Sequence, residues 1–139
     1  MSVSIDDLRG IRLLSTLDDR DLQQLAANMN ERHLAAGDTI VGEGTGGVAF
    51  FFILEGETSV SVGGDEVATL KQGEYVGELA LLDPDGPRTA TVAAKTDVRV
   101  AAMSSWQFRP FVMEHPEVAW TLLARLARRL REAQRTVPA

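Results

Sequence analysis

Two charged residues ten positions apart, Glu78 and Arg88, carry the clearest chemical signal in this sequence. They lie in the segment Gly73–Val92, GEYVGELALLDPDGPRTATV. Its texture predicts the end of a strand, one turn of helix opening at Gly77, an Asp/Pro/Gly loop, and a return into a strand. A helix that begins at Gly77 aims the unpaired backbone N–H groups of about Glu78, Leu79 and Ala80 at whatever precedes it, which suits an anion. Gly77 has no side chain to keep a ligand away from the backbone. Arg88 brings a forked, permanently charged donor of the kind that pairs with a phosphate. Glu78 only accepts, so beside an anion its natural target is a hydroxyl. With the hydroxyl of Thr89, these groups describe a sugar-phosphate pocket. The competing reading is a structural ion pair between Glu78 and Arg88, with glutamate favoured early in a helix on electrostatic grounds alone.

Such a segment needs a frame, and the rest of the chain reads as helix, strands, helix. Apolar residues recur at helical spacing over Ile5–Leu14 (Leu8, Ile11, Leu14) and over Asp18–Met29 (Leu22, Leu25, Ala26, Met29), with Thr16 or Asp18 available as a cap. From Gly37 onward short apolar runs alternate with glycine-rich turns. Strands are predicted at Thr39–Val41, Phe50–Leu54, Thr58–Val62, Val67–Leu70, Thr89–Ala94 and Asp97–Met103, and Gly63–Gly64 predicts a tight hairpin. Strands at this spacing predict a barrel or a sandwich, mainly β with flanking helices. A further helix is predicted from Ser104 or Ser105 to about His115, where Pro116 disfavours its continuation. The last runs from about Glu117 to Arg135, with Pro116 suited to its first turn.

Along that last helix Ala119, Leu123, Leu126, Leu130 and Ala133 step by four and three, a heptad seam of about two heptads. It suits either a partner helix or the body of the protein itself. Five arginines between Arg125 and Arg135 face one acid, Glu132. They read as a solvated face suited to the negative end of the helix dipole.

Composition narrows the function classes. The 139 residues suit one compact domain over 1–139: helices over 1–30, a β region over 37–103 that holds the 77–91 segment, and helices over 104–135. Without cysteine there is no disulfide, thiolate metal site or Cys nucleophile, and His33 and His115 are too far apart in sequence to suggest metal spacing. Both histidines read as structural, and Trp106 and Trp120 are expected to pack rather than to bind. A net charge of −6 argues against broad nucleic-acid binding. Met1–Leu14 is too charged for a signal peptide, and no apolar run is long enough to span a membrane, so a cytoplasmic location is expected. No Ser/His/Asp set or paired carboxylates points to catalysis, and the expectation is a protein that is not an enzyme.

GELALL followed by PRTAT resembles the phosphate-binding cassette of cyclic-nucleotide-binding domains, the type found in the catabolite activator protein and in cyclic-nucleotide-dependent kinase regulatory domains. AAGDTIVGEG, FFILEGETSV, LKQGEYVGE and AKTDVRVAAM extend the resemblance over about residues 10 to 135. It implies a jelly-roll β-barrel (a double-stranded β-helix) with N-terminal helices and a long C-terminal helix. It also implies binding of cAMP or cGMP, with no other cofactor. Glu78 would hold the ribose 2′-hydroxyl, Arg88 the cyclic phosphate, the Leu79 and Ala80 amides would cap it, and Gly77 would line the approach. Thr89 would touch the phosphate or a guanine amino group, which leaves the base open. The final helix resembles the dimer helix of the catabolite activator protein. Ala133-Gln134 stands where that protein has an adenine-contacting Thr-Ser pair, so Gln134 would replace one of two contacts.

Two functional expectations follow. One is a regulatory sensor that binds cAMP or cGMP and signals through its C-terminal helix. The other is a dimerisation or protein-interaction module with a vestigial pocket, partnered by a second copy or an effector through that helix. Direct DNA binding and a membrane span are not expected.

Overall fold

The computed structural model describes residues 3–41, 49–77 and 90–135. Helix α1 (Ile5–Arg9) is capped by Ser4, whose hydroxyl accepts from the Asp7 amide while the Asp7 carboxylate accepts from the Ser4 amide. The expected single helix over Ile5–Leu14 is broken. Gly10 ends α1, Ile11 is extended, and Arg12–Leu14 form a 3₁₀ turn. Glycine is a poor helix interior, and the break still lets Leu8, Ile11, Leu13 and Leu14 all become buried. Helix α2 (Asp19–Ala27) takes Asp18 as its cap, with Asp21 completing a reciprocal pair.

Eight strands follow among the described residues: β1 (Asn30–Leu34), β2 (Thr39–Val41), β3 (Ala49–Glu55), β4 (Thr58–Val62), β5 (Asp65–Leu70), β6 (Tyr75–Val76), β7 (Thr91–Ala94) and β8 (Val98–Ser104). They form two four-stranded antiparallel sheets, in the orders β1-β8-β3-β6 and β2-β7-β4-β5. Strands β1 and β6 were not among those expected, and the β region begins at Asn30 rather than Gly37. The hairpin at Gly63–Gly64 is as predicted: both glycines have positive φ, and Val62 pairs with Asp65. Helix α3 (Ser105–Glu114) is capped by Ser104, and α4 (Pro116–Arg135) opens on the proline.

The unbroken apolar run of β3 has a simple cause, since both of its faces are covered. Phe50, Phe52 and Leu54 belong to the core shared with the helices. Phe51 and Ile53 belong to the second core, with Val92, Ala94, Val98, Val100 and Leu70. On the helical side the aromatic rings are in direct contact. Phe50 stacks on Phe108 of α3 at 4.5 Å between centroids and on Tyr75 of β6 at 5.4 Å. The molecule is mainly β with flanking helices, as the sequence leads one to expect.

Helix α4 rests on the body through Val118 and Leu122, both buried. Leu123 and Leu130 of the heptad seam are 51% and 60% exposed, so the seam is not the face that packs inward. The expectation that the tryptophans pack is also corrected, because Trp106 and Trp120 are 72% and 75% exposed.

Candidate functional site

Of the seven residues singled out for ligand binding, Gly77 and Gln134 are described. Glu78, Leu79, Ala80, Arg88 and Thr89 lie outside the described residues, as does the helical turn expected at Gly77. The structure shows how the segment 78–89 is anchored at both ends. Strand β6 is the edge of one sheet, where Val76 pairs with Phe51 and Tyr75 with Phe52 of β3. Strand β7 lies inside the other sheet, between β2 and β4. The segment therefore leaves one sheet and enters the opposite one.

The two residues of β6 alternate as a strand must. Tyr75 is buried among the helix-side aromatics, and Val76 packs toward the inter-sheet core beside Phe51. Gly77 follows, buried, at φ +110°, a conformation that side-chain-bearing residues rarely adopt. On the other side Val92 of β7 and Val60 of β4 pair and contribute to the same core. The described residues on either side of the 78–89 segment, Val76 and Val92, thus both pack on the apolar core between the two sheets. An apolar wall with a few convergent polar groups is the usual make-up of a small-molecule site. Gln134 stands exposed near the end of α4, and among the described residues no hydrogen bond or ion pair joins it to Gly77.

The turn before β6 is held tightly. Ile53 N–H donates to the Glu74 carbonyl and Gly73 N–H to the Ile53 carbonyl, each at 2.9 Å. The Glu74 carboxylate accepts from the Lys71 amide through one oxygen at 3.2 Å and from Arg125 Nη2 of α4 through the other at 3.1 Å. The Arg125 guanidinium also lies over the Tyr75 ring, 4.9 Å from its centroid. Gly73, Glu74, Tyr75 and Arg125 line a cleft of about 370 Å³ together with Gly10, Arg12, Leu13 and Gln72. Sequence reasoning missed Glu74, Tyr75 and Arg125. The available signal was helical phase: Arg125 falls three residues after Leu122 and seven after Val118, on the face that α4 buries.

A second charged cluster ties the N-terminus to the sheet. Arg99 of β8 donates to Glu31 of β1 at 2.7 Å, to Glu55 of β3 at 2.7 Å and to Asp7 of α1 at 2.9 Å. The Arg99 hydrogen bond leads in holding the Glu31 carboxyl below its usual range, against the opposing effect of burial. Burial would raise the Asp7 carboxyl, but the Ser4 amide and Arg99 together outweigh it and leave it lowered. Arg99 itself is raised further, first by Asp7 and then by Glu55. The second Glu31 oxygen is buried without a hydrogen bond and lies 3.4 Å from His33 Nε2.

Among the described residues no group of three or more His, Asp or Glu side chains is arranged to hold a metal ion. No described helix is long and apolar enough to cross a membrane.

Comparison with known proteins agrees with this frame. Residues 31–115 match the family described as "Cyclic nucleotide-binding domain". The chain is 39% identical over 104 residues to a cAMP-dependent protein kinase regulatory subunit from Yarrowia lipolytica. That match covers 73% of this chain and 28% of the kinase subunit, so the chain spans well under half of that relative's length. Among solved structures, the N-terminal domain of a transcriptional regulator from Streptomyces coelicolor superposes with a TM-score of 0.72 at 37% identity, covering 96% of this chain and 99% of that one. The Thermus thermophilus catabolite activator protein gives 0.78 at 31% identity, covering 88% of this chain and 59% of that one. The matched segment runs from β1 to the end of α3 and takes in the whole 78–89 connection between the sheets. This chain belongs to the cyclic nucleotide-binding domain family.

Proposed function

We propose that the chain is a regulatory module that binds cAMP or cGMP between Gly77 and Thr89 and signals through α4. The observation that carries this reading is a family match that encloses the Glu78/Arg88 segment, whose flanking strands belong to opposite sheets packed on a common apolar core. In this reading Arg88 pairs with the cyclic phosphate, the Leu79 and Ala80 amides cap it, and Glu78 accepts from the ribose 2′-hydroxyl. Gly77 gives the backbone room to approach, Thr89 adds a hydroxyl contact, and Gln134 reaches toward the base from α4. No bond is made or broken, so the output is a shift between two positions of α4, bounded by the ligand's differential affinity for them. The kinase subunit named above is cAMP-dependent by its name, which favours cAMP as the first ligand to test.

Thermal unfolding with and without each nucleotide tests the reading, on wild type and on Arg88→Ala. Ligand at 100 times its Kd stabilises a fold by about 2.7 kcal/mol, or about 3–7 °C for a domain of this size. The expected result is a shift of that order with one nucleotide, absent in the variant. No shift with either nucleotide at millimolar concentration overturns it.

One observation favours a second reading, an association module with a vestigial pocket. Trp120, Leu123 and Leu130 stand exposed along α4 beside its arginines, a surface suited to a second copy or an effector. Sizing that shows a dimer, with no binding heat from either nucleotide, would select it.

A further inference from the structure

The side chain of Arg125 connects two parts of the fold that are not neighbours in sequence. It lies on the inward face of α4, three residues after buried Leu122. Its Nη2 donates at 3.1 Å to Glu74, fifty-one residues earlier, and its guanidinium covers the Tyr75 ring at 4.9 Å. Both partners are partly shielded, with side-chain exposures of 29% for Arg125 and 33% for Glu74. Glu74 is itself fixed, because its other oxygen accepts from the Lys71 amide and its carbonyl accepts from Ile53. Tyr75 is fixed as well, 3% exposed and stacked on Phe50. Two residues beyond Tyr75 the chain reaches Gly77, where the segment 78–89 begins.

A charge-assisted hydrogen bond and a cation–π contact from one planar group to adjacent residues define a geometry, not only a net attraction. Rotating or lifting α4 cannot keep both contacts unless the turn at Lys71–Glu74 and strand β6 follow. β6 has two residues and, among the described residues, pairs with β3 alone, which makes it a light element for such a contact to move.

We propose that Arg125 is a positioning residue that latches α4 to the strand leading into Gly77, so that its side chain couples occupancy of the segment after Gly77 to the position of α4. The coupling to occupancy rests on the nucleotide-binding reading above; the latch itself does not.

Amide hydrogen exchange on the ligand-free chain tests the latch first. Arg125→Ala is expected to speed exchange by about three- to tenfold in two separate segments, residues 119–133 and residues 71–77. Glu74→Gln, a milder change that keeps the turn's shape, is expected to do the same to a smaller degree. The double variant should be no faster than Arg125→Ala alone, as for two residues that act as one contact. Arg125→Lys should recover only part of the protection, since it keeps the charge and loses the planar fork. Additive effects of the two substitutions, or faster exchange in α4 alone, overturn the latch.

Repeating the experiment with saturating cAMP tests the coupling. Wild type is expected to change its α4 exchange on binding, and Arg125→Ala to lose that change while calorimetry still records binding heat. An undiminished change in Arg125→Ala overturns the coupling. Absence of binding heat in wild type removes the nucleotide reading and with it the coupling to occupancy, while the ligand-free cycle still decides the latch.

Discussion

Arg99 of β8 and Asp7 of α1 meet at 2.9 Å although ninety-two residues separate them in sequence. The same guanidinium holds Glu31 and Glu55, so one cation gathers three carboxylates from α1, β1 and β3. Asp7 has a second task, since its carboxylate also accepts from the Ser4 amide at the start of α1. The N-terminal helix is therefore pinned to the sheet through Asp7, the residue that completes its capping box with Ser4.

Replacing Arg99 by methionine would leave those carboxylates facing one another with no cation between them. Arg99 is 19% exposed in its side chain, so solvent screens the loss only in part. The expected cost is about 1–3 kcal/mol, read as a lower urea midpoint with an unchanged m-value. Arg99→Lys should fall between the two, because an ammonium cannot present the same fork. A midpoint equal to wild type would show that the cluster contributes nothing.

The same cluster has a pH signature. The Asp7 and Glu31 carboxyls are lowered in the folded protein. A lowered carboxyl contributes stability that is fully present above its unfolded pKa of about 4 and is lost as pH falls through the folded value. The stability gap between wild type and Arg99→Met should therefore be largest near neutral pH and narrow as pH drops from about 4 toward 2. A gap that stays constant over that range would contradict the assignment.

Two glycines with the same backbone hand separate strain from crowding. Gly37 sits at φ +95° with open space where a Cβ would stand. Gly56 sits at φ +88°, where a Cβ would strike the Asp97 carbonyl oxygen and lie 2.7 Å from Val98 Cγ1. Gly37→Ala should cost about 1–2 kcal/mol from conformation alone. Gly56→Ala should cost about 2–4 kcal/mol, because the clash adds to the strain. Equal urea midpoints for the two variants would rule out the close approach between the β3–β4 turn and the Asp97 backbone.

The apolar side chains of α4 give a further contrast. Leu123 and Leu130 are more than half exposed, so Leu123→Glu and Leu130→Glu should each change unfolding stability by no more than about 0.5 kcal/mol. Leu122→Glu on the inward face should unfold the helix from the body. If the wild type proves dimeric in light scattering, the two exposed substitutions should return it to a monomer. A large loss of stability at Leu123 or Leu130 would mean that the seam packs on its own chain.

Local signals were legible in the residues themselves. Asp18 and Ser104 have the short polar side chains that cap helices, and both do so. Gly63 and Gly64 can take the positive φ that a two-residue hairpin requires, and Val62 and Asp65 pair across it. Thr58–Val62 begins and ends where expected and Thr39–Val41 begins where expected, because β-branched residues bounded by glycine and acidic residues carry their own limits. Gly77, expected to leave the backbone open to a ligand, is buried at φ +110°, a conformation not anticipated from the sequence. Its role toward a ligand is part of the proposal.

What escaped a reading of the sequence had its cause at long range. NERHL at β1 has too many charges to look like a strand, yet the Glu31 side chain is 2% exposed there, with Arg99 reaching it from β8. Tyr75–Val76 is too short to announce itself, and it is a strand because β3 lends it partners. The apolar stripes on α4 could not say which of them would face inward. Val118 and Leu122 turn to the body and leave Leu123 and Leu130 in solvent, a choice made by the surface they meet. Residue type and spacing determined the turns, the caps, the alternation of strands and the family to which the chain belongs, because each depends on atoms a few residues apart. The Arg99 cluster, strand β6 and the contact of Arg125 with Glu74 and Tyr75 were decided by the tertiary structure alone, because each joins groups that only the folded chain brings within hydrogen-bonding or van der Waals distance.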